Sequence, residues 1–229
     1  AGEYHCRRQY YLPLGKYHCR RQYHVPFIID AAQSAGVLPV KLKSLGAEYI
    51  AMPGHKGLLG PQGTGILLCN ALPDPLLAGG TGSLSVLQEM PDFLPDALEA
   101  GTLNVPGIAG LSAGIAYVLE QTPEKILARE SREVKRCGIA LEKLGFRVFM
   151  GEQQSGTVSF IPNMDCEEMA RLLAEQGIGV RAGLHCAPLA HESAGTLDTG
   201  TVRVSFGHDA APWQTGMLVQ EAEKLTRQS

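Results

Sequence analysis

The sequence has no excess of basic residues, no paired cysteine motif and no long apolar run. Its 20 Lys and Arg residues are balanced by 23 Asp and Glu residues, which gives a formal net charge of −3. Binding to nucleic acid or to an anionic membrane surface usually needs a basic patch, so neither partner is predicted. No stretch approaches the ~20 apolar residues that span a bilayer, and the opening residues AGEYHCRRQYY lack the apolar core of a secretory signal. We therefore expect a cytoplasmic protein with no membrane partner.

The six cysteines include no Cys-x-x-Cys pair and no zinc-finger spacing. A disulfide scaffold is therefore not predicted, and we expect the protein to occur in a reducing compartment. Cys69, Cys137 and Cys166 lie at apolar positions of predicted strands and helices, so we interpret them as packing thiols. Cys6 and Cys19 belong to a duplicated segment, YHCRRQY, which occurs twice within residues 1–24. Two copies are too few for a repeat fold.

Glycine is abundant, and from residue 25 onwards short apolar runs alternate with Gly-rich turns and helical stretches. There are 27 Gly in 229 residues, against about 7% in an average protein, which indicates tight turns or a backbone that approaches a ligand closely. The alternation is typical of an α/β protein. Predicted strands cover 25–29, 48–52, 66–69, 146–150, 157–161, 178–181 and 201–206, and predicted helices cover 108–121, 123–144, 166–175 and the C-terminus. We expect an irregular segment 1–24, an α/β domain 25–121 and a smaller α+β domain 122–229.

Two segments of the first domain carry groups with reactive chemistry. Lys56 is the only Asp, Glu, Lys or Arg between Glu48 and Asp74, and it lies in the Gly-rich loop PGHKGLLGPQGTG. Removing such an amine from water would free its lone pair to form an imine, although a surface loop lysine is the plainer interpretation. Asp30 follows an apolar strand, and Gln33 lies within reach of the same turn, where open α/β sheets bind ligands. Asp30 could equally cap a helix, but a carboxylate and an amine on neighbouring strands match what pyridoxal phosphate needs.

Cys186 differs from the other cysteines because it lies in VRAGLHCAPLAH, between a predicted strand and a proline. Arg181 and His185 are close in sequence and would favour a thiolate, although a buried structural thiol is also possible. A zinc cluster of His185, Cys186 and His191 matches known ligand spacings poorly, so no metal site is predicted. Arg203 lies in TVRVSF, on the opposite face from the apolar residues. It either faces solvent or binds a substrate carboxylate through its fork of donors.

Five segments occur in an order typical of one enzyme family: DAAQSAG, PGHKGLLGPQGTG, EAGTLNVPGIAGL, VRAGLHCAPLAH and GTVRVSFG. Over about 25–206, the chain resembles the cysteine desulfurases of the class V aminotransferase group. The resemblance implies the fold of PLP-dependent transferases (fold type I), here a partial large domain with a mainly parallel sheet and a smaller α+β C-terminal domain. It also implies that family members begin well upstream of the strand ending at Asp30, so we expect the chain to lack their N-terminal part.

The resemblance implies a role for each candidate of the first domain. Lys56 would form the Schiff base with pyridoxal 5'-phosphate, and Asp30 would pair with the pyridine nitrogen. Gln33 would hydrogen-bond the phenolic oxygen, and His55 would help to hold the phosphate. Thr102 would contact a phosphate bound mainly by the other subunit of a homodimer.

The resemblance also implies the reaction. L-Cysteine would become L-alanine while its sulfur moves to Cys186 as a persulfide, which a sulfur-acceptor protein could then receive. Arg203 would bind the substrate carboxylate, with Arg181 and His185 also lining the substrate site. The alternatives are a selenocysteine lyase, another class V enzyme, or an inactive remnant that only dimerises or binds a partner. The remnant is considered mainly because we expect the N-terminal part of the family to be missing. In addition, Pro53 replaces the hydroxyl residue that the family has before Gly-His-Lys, and the family's Asn-Thr after the strand of Arg203 is not evident.

Overall fold

A computed structural model of the chain describes residues 26–80 and 82–228. The described residues divide into two compact units, of which the first ends at residue 118 and the second begins at residue 119. The duplicated segment 1–24, with Cys6 and Cys19, lies outside the described residues. The domain limits expected from the sequence, 25–121 and 122–229, stay a prediction. Along the chain, the division between the two units falls three residues before the boundary predicted between residues 121 and 122.

The first unit contains a three-stranded sheet of mixed direction. Its strands are β1 (Ile28–Asp30), β2 (Tyr49–Pro53) and β3 (Gly65–Cys69), and its helices are α1 (Leu42–Leu45) and α2 (Val105–Gln121), within which the units meet. β1 and β2 are parallel, whereas β2 and β3 are antiparallel. The expectation of a mainly parallel sheet is therefore wrong for the described strands. A loop without a helix joins β2 to β3, and an antiparallel return needs no helical crossover.

Alternating burial along β2 fixes which side of this sheet is packed. Ile50 and Met52 are buried, while Ala51 between them is exposed, as expected for side chains that point to opposite faces in turn. The two residues pack with others in one apolar cluster, whose further buried members are Ala31, Ala35, Ala47, Leu58 and Leu111. The residues that follow β1 and β2 thus belong to the same core.

The second unit is a four-stranded antiparallel sheet with helices. Its strands are β4 (Arg147–Phe149), β5 (Thr157–Ile161), β6 (Arg181–Gly183) and β7 (Thr201–Ser205), in the order β4-β5-β7-β6. Its helices are α3 (Pro123–Lys143), α4 (Cys166–Glu175), α5 (Pro188–Ala194) and α6 (Pro212–Gln228). Every neighbouring pair of strands is antiparallel. This arrangement confirms the α+β pattern that the sequence predicted.

Local sequence explains two of the helices in this unit. On α3, Val134, Cys137 and Leu141 are fully buried, and their spacing of three and four residues places them on one face of the helix. α4 begins after Asp165, whose Oδ1 accepts hydrogen bonds from the backbone N–H groups of Glu167 and Glu168. Such a carboxylate satisfies N–H groups that a helix start otherwise leaves unpaired. The bounds of α4 are those predicted from the sequence.

Two predictions for this unit differ from the structure. The predicted strand 178–181 has no strand pairing before Arg181, because β6 begins there and ends at Gly183. The helix α5 was not predicted from the sequence, and it begins at Pro188. Proline is compatible with the first helical position, where its missing N–H would have no partner in any case. Across residues 26–80 and 82–228, no helix combines the length and the apolar character needed to cross a bilayer.

Candidate active site

Asp30 and the loop that carries Lys56 lie at the same edge of the first sheet. β1 and β2 are parallel, and Asp30 pairs in register with Ala51. β2 then ends at Pro53, three residues before Lys56. The carboxyl ends of two adjacent parallel strands therefore carry a carboxylate and an amine, which is where open α/β sheets bind ligands.

A close contact between two glycine backbones holds the segments after β1 and β2 together. A Cβ atom added to Gly36 would lie 1.9 Å from the carbonyl oxygen of Gly57, and Gly36 has a φ of +87°. A side chain would fit neither the space nor the backbone conformation. In the reverse direction, a Cβ on Gly57 would lie 2.3 Å from the carbonyl oxygen of Ala35. The turn containing Gln33 and the loop containing Lys56 are thus packed backbone against backbone.

The Lys56 loop is anchored by its neighbours and leaves its own functional side chains exposed. Leu58 is buried, and the backbone N–H of Gly60 donates to the carbonyl oxygen of Gly54 at 2.8 Å. Both His55 and Lys56 are exposed. Lys56 is therefore in contact with water, as the plainer interpretation of the sequence expected, and of its two leucine neighbours Leu58 is buried whereas Leu59 is exposed.

The remaining candidates of the first unit are also exposed. Oδ1 of Asp30 accepts a hydrogen bond from the backbone N–H of Ala32 at 2.8 Å, and Gln33 follows in the same turn. Thr102 lies on the loop that precedes α2. In chemistry, this donor set fits pyridoxal phosphate: an amine can bond to an aldehyde, and a carboxylate at the same sheet edge can pair with a protonated pyridine nitrogen.

Cys186 lies in a turn with an unusual backbone conformation between β6 and α5. Both His185 and Cys186 have positive φ values, 52° and 60°. Non-glycine residues adopt this region only when the surroundings favour it. Cys186 is exposed, and Nη2 of Arg181 donates to its Sγ at 3.7 Å. The turn thus presents a thiol beside a guanidinium group.

The His185 side chain is half-buried and makes its hydrogen bonds to β7. Its Nε2 lies 3.1 Å from the carbonyl oxygen and 3.0 Å from the Oγ1 of Thr201, at the start of β7. Among the described residues, its buried Nδ1 has no hydrogen-bond partner. Burial lowers the pKa of His185 below its ordinary value, and the positive charges of Arg203 and Arg181, with the nearby His191, lower it further. His185 is therefore favoured in its uncharged form.

The two candidate arginines occupy directly opposed positions. Arg181 on β6 pairs in register with Arg203 on β7, so both side chains leave the same face of the sheet. Like charges placed opposite one another on paired strands are destabilising. Arg203 is half-buried, and its buried Nε has no partner among the described residues. An anion would satisfy this pair of guanidinium groups.

The sequence did not identify three residues that support the Cys186 turn: Thr201, His191 and Thr196. Thr196 lies in the loop after α5, and its Oγ1 is 2.8 Å from Nδ1 of His191. The rings of His185 and His191 have centroids 5.5 Å apart. The sequence considered His191 only as a zinc ligand, and within residues 26–80 and 82–228 no three His, Cys, Asp or Glu side chains form a metal-binding group.

Comparisons with known proteins agree with this fold. The family model for aminotransferase class-V matches residues 14–212. The probable cysteine desulfurase of Methanothermobacter thermautotrophicus is 35% identical over 211 residues, which make up 87% of this chain and 52% of that protein. The apo structure of the cysteine desulfurase from Thermococcus onnurineus NA1 matches with a TM-score of 0.79 at 32% identity, over 91% of this chain and 54% of that chain.

A second solved structure gives the same result. The Escherichia coli cysteine desulfurase CsdA, in its S-sulfonic acid form, matches with a TM-score of 0.81 at 28% identity, over 93% of this chain and 54% of that chain. The chain therefore spans about half the length of the relatives it matches. These matches confirm the PLP-dependent transferase fold that the resemblance implied. The chain belongs to the aminotransferase class-V family, and its relatives in sequence and in structure are cysteine desulfurases.

Proposed function

We propose that this chain contributes to a cysteine desulfurase, which converts L-cysteine to L-alanine and transfers the sulfur to Cys186. The observation that carries the proposal is the exposed Cys186 thiol beside the Arg181 guanidinium, on a turn whose neighbouring histidine is anchored inwards. Membership of the family indicates the cofactor, because class V aminotransferases and cysteine desulfurases are pyridoxal phosphate enzymes. The opposed Arg181 and Arg203 support an anionic substrate group in the same unit.

The residues of the first unit would bind the cofactor and handle protons at the reacting carbon. When bound, pyridoxal phosphate supplies an aldehyde that bonds to an amine and a pyridinium ring that withdraws electrons from the adjacent carbon. Lys56 would hold the cofactor through its amine, and the same amine would be placed to move the proton at the substrate α-carbon. Asp30 would keep the ring nitrogen protonated. Gln33 and His55 would bind the phenolic oxygen and the phosphate.

A second copy of the chain would complete this cofactor site. Thr102 is exposed on the loop before α2, and we propose that it contacts a phosphate held mainly by the partner copy of a homodimer. The chemistry of a hydroxyl group suits a phosphate oxygen, because it can donate a hydrogen bond to the anion. Mixing a Thr102→Val chain with a Lys56→Ala chain would test this assignment by complementation.

The residues of the second unit would carry out the sulfur transfer. Arg203 would bind the substrate carboxylate, and Arg181 would stabilise negative charge on Sγ of Cys186. The Cys186 thiolate attacks the substrate sulfur, the bond between that sulfur and the β-carbon breaks, and a persulfide forms on Cys186. The electrons of the broken bond return to the carbon skeleton, which gains protons and leaves as L-alanine. One L-cysteine and one thiol thus give one L-alanine and one persulfide.

Covalent capture of the cofactor tests the first half of the proposal. The purified chain is incubated with pyridoxal phosphate and reduced with borohydride, and the modified lysine is identified by peptide mass spectrometry. We expect the label on Lys56. Lys56→Ala should remove it, whereas the matched control Lys41→Ala, an exposed lysine of the same unit, should keep it. A chain with no label on Lys56 would be the inactive remnant considered above.

Detection of the persulfide tests the second half. With cofactor and L-cysteine, we expect alanine release and a persulfide on Cys186. Cys186→Ser should abolish both, whereas Cys69→Ser in the first unit should change neither. A persulfide that persists without Cys186 would contradict the assignment. A rate on L-selenocysteine far above that on L-cysteine would instead identify a selenocysteine lyase.

A further inference from the structure

His191 is a buried polar side chain to which the proposed reaction gives no role. It lies on α5, five residues after Cys186, and only 7% of it is exposed. Its Nδ1 is 2.8 Å from Oγ1 of Thr196, which is itself 1% exposed. Oγ1 of Thr196 donates in turn to the carbonyl oxygen of His191 at 3.4 Å. Burying an imidazole is costly unless it is hydrogen-bonded, and this pair meets that need.

His191 packs against the residue that precedes the proposed sulfur acceptor. The rings of His191 and His185 are tilted by 49°, with centroids 5.5 Å apart. On its other side, His185 is fixed by Thr201. The ring of His185 is therefore held between helix α5 and strand β7.

This anchoring has a consequence for the backbone of the turn. His185 and Cys186 both adopt left-handed conformations, which are strained for non-glycine residues and persist only when surrounding contacts enforce them. With His185 fixed inwards, the next residue leaves the turn outwards. Cys186 is accordingly exposed, and its Sγ meets Nη2 of Arg181.

We propose that His191 and Thr196 are positioning residues for sulfur transfer, which act through the His185 ring to hold Cys186 in its outward conformation beside Arg181. The proposal rests on the proposed function only for the identity of Cys186 as the sulfur acceptor. The positioning itself needs no cofactor, so it can be measured without one.

The charges around His185 are consistent with a ring that is held neutral. The groups that face it are Arg203 on β7, Arg181 on β6 and His191 on α5, and each disfavours a positive charge on its ring. A neutral His185 whose Nε2–H donates to the Thr201 carbonyl carries a lone pair on Nδ1. The network therefore has a spectroscopic signature: protonated Nε2 and unprotonated Nδ1 at neutral pH.

The rate of alkylation of Cys186 by iodoacetamide, resolved by peptide mass spectrometry at neutral pH, tests the positioning. Thr196→Val removes the hydroxyl at nearly constant volume, and we expect it to slow alkylation about three- to tenfold, because the thiolate loses its cationic neighbour. His191→Ala should have a similar effect. Thr196→Ser, which restores the hydroxyl, should return the rate to within about twofold of the original chain.

The control separates positioning from general loss of stability. Val158→Ala opens a cavity in the core at β5, a strand that β7 separates from β6. It should lower the free energy of unfolding without changing the alkylation rate. Equal slowing by Val158→Ala and Thr196→Val, or no slowing by Thr196→Val and His191→Ala in folded chains, would overturn the proposal.

Nuclear magnetic resonance of the ¹⁵N-histidine-labelled chain gives a test that needs no variant. We expect His185 in the tautomer with protonated Nε2, with a titration midpoint below its ordinary value. The Nδ1-protonated tautomer, or a midpoint at or above the ordinary value, would also overturn the proposal. A chain that fails to bind pyridoxal phosphate would contradict the proposed function and leave these results unaffected.

Discussion

Replacing Glu130 by glutamine should remove the loss of stability that its carboxyl group causes in the second unit as the pH rises. Glu130 lies on α3 and is only 7% exposed. Burial raises the pKa of its carboxyl group from 4.5 to about 7, and a hydrogen bond from the backbone N–H of Gly156 opposes this rise only partly. The folded chain therefore favours the neutral acid, which makes the carboxylate form costly above neutral pH.

The size and the sign of the effect follow from this pKa. The unfolded chain releases the proton of Glu130 near pH 4.5 and the folded chain near pH 7. The free energy of unfolding should be highest below the first value, fall as the pH rises between the two, and stay lower above the second. A difference of this size corresponds to about 3 kcal/mol. Glu130→Gln removes the titration, so the gain should appear at alkaline pH and vanish in acid.

Urea unfolding followed by tryptophan fluorescence measures this directly. Trp213 is the single tryptophan of the chain and lies on α6 in the same unit as Glu130. The free energy of unfolding is compared between about pH 4 and about pH 8 for the original chain and for Glu130→Gln. Any cost of burying the amide N–H groups is common to both pH values. The difference between the two gains therefore isolates the charge.

The control is Glu142→Gln, at an exposed position near the end of the same helix. It should leave the pH dependence unchanged. Parallel pH curves for the original chain and Glu130→Gln would refute the reasoning, since they would mean that Glu130 titrates equally in the folded and unfolded states.

Three further predictions concern other parts of the chain. Gly36→Ala, whose Cβ would lie 1.9 Å from the carbonyl oxygen of Gly57, should destabilise the first unit by more than ~1 kcal/mol and weaken borohydride labelling of Lys56. Asp165→Ala should lower the free energy of unfolding, measured with a chemical denaturant, by about 1 kcal/mol because α4 loses its cap, and Asp165→Asn should keep most of the original stability. The lowered pKa of His185 should make unfolding easier as the pH falls below 6.5, because the unfolded chain takes up the proton first, and His185→Gln should reduce this acid slope.

Elements defined by local periodicity could be predicted closely from the sequence. In the strand 157–161, Val158 and Phe160 are buried at 1% and 0% exposure, which is the alternation that the sequence displays. The bounds of this strand and of α4 agree with the structure residue for residue. These elements are set by contacts that every second or every third to fourth residue makes, so a short window of sequence contains the information.

Elements defined by pairing over a distance could not be predicted in the same way. Ile178 and Val180 are apolar and pack against the core of the second unit, which produced the prediction of a strand there. Their backbone does not pair, and β6 begins only at Arg181, opposite Arg203. Apolar periodicity reports the burial of side chains, whereas strand assignment needs a hydrogen-bonding partner that lies elsewhere in the chain.

The same distinction applies to the candidate site. Residue types and spacing identified Lys56, Asp30 and Cys186, whose assigned roles stay predictions. They left two interpretations of Lys56 open, of which the surface lysine agrees with its exposure, and they suggested His191 only as a metal ligand. The proposed role of His191 depends on two contacts, that of His185 with Thr201 and that of His191 with Thr196. These contacts are set by the register of β6 against β7 and by the loop after α5.

The register of β6 against β7 connects the core of the second unit to its candidate site. Val202 is fully buried and Val204 nearly so, and this alternation sends Arg203 to the other face of β7. The register that buries the two valines also sets Arg203 opposite Arg181 and Gly183 opposite Thr201, which anchors His185. A slip by one residue would bury the arginine and expose the valines, so the apolar core opposes it strongly. The alternation of apolar and polar residues in TVRVSF thus fixes the positions of the polar groups around Cys186, through valines that lie in the core.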